Sequence, residues 1–131
     1  MFGSAARRYA PAGARYHSVD VTTRIEGASP HRLVAILYEE LLTRLTMLKT
    51  AVAGNDAPKR TDSQTRVLAI IAALDAGLDH EKGGDVAPLL ATIFAEANRL
   101  VSIGVRDHDV AALDSCRSMI ADIATAWDQI R

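Results

Sequence analysis

Residues 78–85, Leu78-Asp79-His80-Glu81-Lys82-Gly83-Gly84-Asp85, are where this chain turns back on itself. Gly83 has no Cβ and takes, without a clash, the left-handed conformation that closes a helix. Asp85 offers a carboxylate to the free amides at the start of the next helix. A connection this short lays its two helices side by side and antiparallel, which predicts a chain built as a bundle.

Working outward, the helix before the turn carries Val67, Ile71, Leu74 and Leu78, and runs to about Asp79. Asp56 with Pro58 starts it, or Thr61 as the alternative cap. Before it, Gly54-Asn55 ends a longer helix that Ser29 caps and Pro30 opens, at a position where the missing amide costs nothing. That first helix places Val34, Tyr38, Leu41, Leu45, Leu48 and Val52 at spacings of four and three, a heptad seam. Beyond the turn, a third helix starts at Asp85, carries Val86, Leu90, Ile93, Ala97 and Leu100, and ends near Gly104. Asp107 or Asp109 caps a fourth, with Leu113, Cys116, Ile120, Ile123, Trp127 and Ile130 on its seam. The expected fold is all-α: an antiparallel up-down four-helix bundle over residues 29–131, preceded by an irregular, mobile N-terminal leader over residues 1–28.

Composition bounds the partners. The net charge is −1, too weak a field to recruit nucleic acid or an anionic membrane. The longest unbroken apolar run, Val67 to Leu74, is far short of a bilayer span, so no membrane insertion is expected. One cysteine, Cys116, cannot close an internal disulfide, and a reducing compartment such as the cytoplasm is the expected location. Arg7, Arg8 and Arg15 faintly suggest a targeting segment, but no apolar stretch follows them and Pro11 with Gly13 interrupts any long helix.

Catalysis finds no footing. No histidine follows a glutamate by three residues, and there is no Cys-x-x-Cys or His-Glu-x-x-His, so neither a di-iron nor a zinc site assembles. Glu39 and Glu40 are adjacent and point about a quarter-turn apart on a helix, which does not make an acid–base pair. Gly83-Gly84 lacks the lysine of a phosphate loop, and Cys116 on its seam reads as a small buried hydrophobe. The expectation is a non-enzyme with no cofactor and no metal.

Apolar residues outnumber the seams. Helix one adds Leu33, Ile36, Leu37, Leu42 and Met47; helix two adds Leu68 and Ile70; helix three adds Leu89, Phe94 and Val101. A two-layer bundle buries roughly a third to a half of each helix surface, and helix one exceeds that. The excess is covered by the leader, by a second copy of the chain or by another protein, because soluble monomers rarely leave such a face open without a use.

From about Tyr16 to Trp127 the chain resembles the flagellin-specific export chaperones, the FliS family. Ile25-Glu26-Gly27-Ala28-Ser29-Pro30, followed by Leu33 and Leu37-Tyr38, is similar to the family's Val-x-Thr-x-Ser/Thr-Pro-x-x-Leu segment leading into Met-Leu-Tyr-Asp-Gly. Leu78 to Ala87, with Glu81-Lys82-Gly83-Gly84 at its centre, is similar to the family's second interhelical turn. Ile93-Phe94 stands at a frequent Leu-Tyr, Asp109 at the start of the last helix, and Ala126-Trp127 at a common ending. The chain departs from the pattern at Gly27, usually Thr, at Glu39-Glu40, usually Asp-Gly, and at Gly104-Val105, where Ala-Asn is common.

The resemblance implies a cytoplasmic bundle that binds the disordered C-terminal segment of flagellin in apolar grooves and keeps it from polymerising before export. It implies the flagellar export apparatus and a co-chaperone as further partners. On the positions that match the family's N-terminal motif, it implies Tyr16 and Ile25 as a movable cover, with Leu33, Leu37 and Tyr38 bordering the groove. The alternative expectation is a structural module that homodimerises through its excess apolar face and has no client.

Overall fold

The computed structural model describes residues 26–78 and 84–130. Among them the chain forms four helices and no strand: α1 Pro30–Ala53, α2 Ala57–Ala76, α3 Val86–Arg106 and α4 Val110–Gln129. The chain divides into two units, Met1–Ile36 and Leu37–Arg131. In the first, Ser29 caps α1 as its residue type predicts. Its Oγ accepts from the Arg32 amide at 3.1 Å, and its carbonyl accepts from the Leu33 amide at 2.8 Å. Pro30 is the first helical residue.

In the second unit the core is a set of heptad seams. Tyr38, Leu41, Leu45, Leu48 and Val52 of α1 are buried, as are Val67, Ile71 and Leu74 of α2 and Leu113, Cys116 and Ile120 of α4. Each such leucine or isoleucine contributes about 1.5–3 kcal/mol by leaving water. Side-chain pairs fix the helix directions. Arg117 Nε donates to Thr46 Oγ1 at 2.8 Å, and Lys49 Nζ lies 2.8 Å from Asp114 Oδ1, so position rises along α1 as it falls along α4. Cys116 Sγ reaches Ala97 O at 3.7 Å, while Gly104 backs onto Leu113, so α3 and α4 are antiparallel as well. α2 packs on α3 in turn. Alternating directions and short connections are those of the expected bundle.

The caps are local chemistry. Asp56 accepts from the Lys59 amide at 3.2 Å with Pro58 in the first turn of α2, which leaves Thr61 inside the helix. Asn55, at φ +54°, supplies the left-handed residue that ends α1. Asp109 caps α4 by accepting from the Ala112 amide at 3.1 Å, whereas Asp107 pairs with Arg106.

Four expectations need correction. α2 ends at Ala76, not near Asp79, because the Gly77 amide already closes the last turn on Ala73 O at 3.1 Å. Leu78 therefore lies beyond the helix, half-buried. Asp85 precedes α3 but makes no side-chain cap bond; its backbone is helical, and Gly84 at φ +52° makes the turn. The assignment of Gly83 as the left-handed residue lies outside the described residues. α3 continues past Gly104 to Arg106, and Gly104 is a buried packing position: a Cβ there would meet Leu113 Cγ and Cδ2 at 2.5 Å. The fourth is the phase of α3. Its buried residues are Ala87, Phe94, Ala97, Val101 and Gly104, so Phe94 and Val101 are core while Val86 is 56% exposed.

Candidate interaction surface

α3 is apolar around more of its circumference than one seam can use. At 100° per residue, the buried set Ala87, Phe94, Ala97, Val101 and Gly104 occupies one stripe. Val86, Leu89, Ile93, Glu96, Leu100 and Ile103 form a second stripe beside it, again at spacings of three and four. Leu89 is 61% exposed, and Ile93, Leu100 and Ile103 are half-buried. Small residues explain why the first stripe was chosen for the core. Ala97 and Gly104 let α4 approach closely, as the Cys116–Ala97 and Leu113–Gly104 contacts require, and the bulkier second stripe is turned outward.

The residues expected at the site fall differently. Tyr16 and Ile25 lie outside the described residues. Leu33 is half-buried in the first unit, and Leu37 is half-buried in the second. Tyr38 is 2% exposed; its ring centroid lies 6.5 Å from that of Phe94 and 6.3 Å from that of Trp127, edge to face with the latter. Burial pushes its hydroxyl up to about 12, so the ring is neutral and belongs to the core behind any surface. The excess on α1 is largely absorbed. Ile36 is 1% exposed, and Met47, at 44%, is the large hydrophobe left open on that helix among the described residues.

The sequence spacing places Val86, Ile93 and Leu100 on the core seam and counts Leu89 only as excess. Ile103 was missed. The signal that finds them is the doubled spacing on α3, two apolar stripes where a bundle needs one.

The polar groups nearby are paired. Glu96, within the open stripe, accepts from Arg99 Nε at 2.9 Å and from Nη2 at 2.5 Å, and that guanidinium holds its carboxyl below the ordinary range. Glu40 accepts from Arg44 Nε at 2.8 Å, both side chains being largely covered, and is no partner for an acid–base pair with Glu39. Cys116 is fully buried; burial first, and the Glu96 charge second, push its thiol up to about 11. It is a protonated packing residue rather than a nucleophile. Among the described residues no three histidine, cysteine, aspartate or glutamate side chains are grouped to hold a metal ion. By length and composition α3 reaches what a membrane span requires, with a mean hydropathy of 1.3, yet one of its stripes is packed on α2 and α4 as in a core helix.

Comparison with known proteins bears on what that surface serves. The family profile "Flagellar protein FliS" matches residues 12–131. The chain is similar to the flagellar secretion chaperone FliS of Salmonella typhimurium, 30% identical over 117 residues that cover 88% of this chain and 86% of that protein. It is similar to FliS of Vibrio cholerae, 30% identical with 88% and 85% covered. The flagellar secretion chaperone FliSB of Pseudomonas aeruginosa is 27% identical, with 88% and 92% covered.

Proposed function

This chain belongs to the FliS family of flagellar proteins, and from that premise we propose that it is a flagellar secretion chaperone, without catalytic activity, whose client is the C-terminal segment of flagellin. It binds that segment in the bacterial cytoplasm, keeps it from polymerising, and yields it to the export apparatus. A co-chaperone joins it there. The single observation that supports this reading is the open apolar stripe of α3, next to the stripe that already serves the core.

Magnitudes favour a segment over a second copy. From the exposures of Val86 and Leu89 and the smaller partial exposure of Ile93, Leu100 and Ile103, the stripe offers on the order of 300 Å² of apolar surface. At about 25 cal/mol per Å² that is roughly 7 kcal/mol, enough to offset the ~2–5 kcal/mol that ordering a disordered client costs. A stable dimer draws on ~800 Å² from each partner, well above what the stripe provides. An amphipathic segment with apolar residues at helical spacing is the matching shape. Leu37 extends the contact along α1, and Tyr38 supports it from the core.

The test is a titration of the full chain with a purified flagellin C-terminal fragment, followed by sedimentation. A monomer that becomes a one-to-one complex is the expected result. Leu89→Ser removes roughly 110 Å² of that apolar surface, so it should weaken binding by about 2–3 kcal/mol, near a hundredfold in Kd, while leaving the melting curve unchanged. A dimer indifferent to the fragment, or a Leu89→Ser variant that binds like the parent, refutes the proposal.

A further inference from the structure

A carboxylate interrupts the open stripe. Glu96 stands between Ile93 and Leu100, in line with them on the helix, and its neighbour Arg99 reaches back to hold both of its oxygens. The pair is solvated in the free protein: Glu96 keeps 41% and Arg99 59% of their side-chain surface. A segment laid along the stripe from Val86 to Ile103 crosses the Glu96 side of this pair and strips water from it. Removing a charged pair from water is unfavourable unless further hydrogen bonds compensate. A carboxylate has about four acceptor sites, and Arg99 uses two of them. The remaining sites are left for water or for a donor on a bound segment.

We propose that Glu96 sets the register of the bound segment, by requiring one hydrogen-bond donor in the middle of that segment's otherwise apolar face. This rests on the reading of α3 as the client surface and deepens it by naming the chemistry of the client. A lysine, arginine, asparagine or serine satisfies Glu96. A segment shifted by one helical turn along the stripe sets an apolar side chain against the ion pair and loses the compensation. One polar position within an apolar seam fixes alignment in coiled coils in the same way, at some cost in affinity. The stripe by itself is non-directional and tolerates sliding; Glu96 supplies the one position that does not.

The experiment uses the full chain, the flagellin C-terminal fragment as probe, and fragment variants in which each donor side chain is replaced in turn by alanine. Glu96→Gln and Glu96→Leu should melt like the parent, since the side chain is solvated. Glu96→Gln should weaken binding roughly tenfold, the usual worth of a charge-assisted hydrogen bond, and flatten the dependence of Kd on salt. One fragment position should lose its effect in the Glu96→Leu background, which identifies the donor. If the parent binds and Leu89→Ser does not, but both Glu96 variants bind as tightly as the parent or tighter, register by Glu96 is refuted and the surface stands. If the parent does not bind the fragment, or Leu89→Ser binds unchanged, the client surface itself is refuted and register falls with it.

Discussion

Gly104→Val is the substitution that most sharply tests how α3 and α4 meet. A Cβ built on Gly104 lies 2.5 Å from both Cγ and Cδ2 of Leu113 and 3.2 Å from Asp109 O. Valine adds two methyls beyond that atom, in a site where Gly104 is buried and Leu113 is only 1% exposed. Two terms oppose each other. Valine gains about 0.3–0.4 kcal/mol over glycine in helix propensity. Overpacking a closed core costs about 1–3 kcal/mol, because Leu113 cannot swing to solvent. The net expectation is a loss of about 0.6–2.7 kcal/mol, with about 3–6 °C in Tm per kcal/mol for a chain of this size. Gly104→Ala already carries the clashing Cβ and should also destabilise, but by less than Gly104→Val, since its larger propensity gain of about 1 kcal/mol offsets part of the clash. Leu113→Ala alone should cost about 2–5 kcal/mol, and combined with Gly104→Val it should lose at least about 1 kcal/mol less than the sum, the new methyls filling the cavity. Urea unfolding followed by circular dichroism reads the four variants against the parent. A Gly104→Val protein as stable as the parent, or strict additivity in the double variant, would refute the close approach of the two helices.

The caps give a graded expectation. Asp56→Ala and Asp109→Ala should each lose about 1 kcal/mol in urea unfolding, while Asp85→Ala, which makes no cap bond, should stay within a few tenths. Equal losses at all three would show that charge rather than capping is at work. Alkali provides another. Cys116 is raised from an ordinary 9.0 to about 11 and Tyr38 from 10.0 to about 12, so the fold favours both neutral forms. Their contribution is complete below pH 9 and drains away as the unfolded chain ionises first, by about 3 kcal/mol at most per group across pH 9–12. The urea midpoint should fall over that window, less steeply in Tyr38→Phe and Cys116→Ala; a midpoint flat to pH 11 would contradict the burial of both groups.

Local chemistry was the most legible part of this sequence. Ser29, Asp56 and Asp109 cap helices because their side-chain oxygens sit three residues before a free amide, a relation that needs no tertiary contact. The α1 seam from Tyr38 to Val52 was legible because polar residues separate its apolar ones and leave one phase. α3 was not. With Val86, Leu89, Leu90, Ile93, Phe94, Leu100 and Val101 all apolar, several phases satisfy the same spacing, and the deciding residues, Ala87, Ala97 and Gly104, are small. Close packing selects small residues where helices touch, while hydrophobicity alone ranks them low. The same inversion hid the open surface: the stripe assigned to the core faces outward. Gly104 looked like a terminator for the same reason, since nothing in a sequence separates a glycine that ends a helix from one pressed against Leu113. Tyr38 matched a family motif, but a motif marks a position without saying which way it faces.

The bridge between Thr46 and Arg117 joins residues 71 positions apart. A ribosome that has released α1, α2 and α3 has not yet supplied the helix that holds Thr46, Lys49 and the edge of Tyr38. Contacts of that span form late, since the loop they close must first be drawn together. A nascent chain halted before Asp114 would carry its own greasy α1 face uncovered. For the length of that pause, the chain is itself open to the associations that its finished bundle avoids.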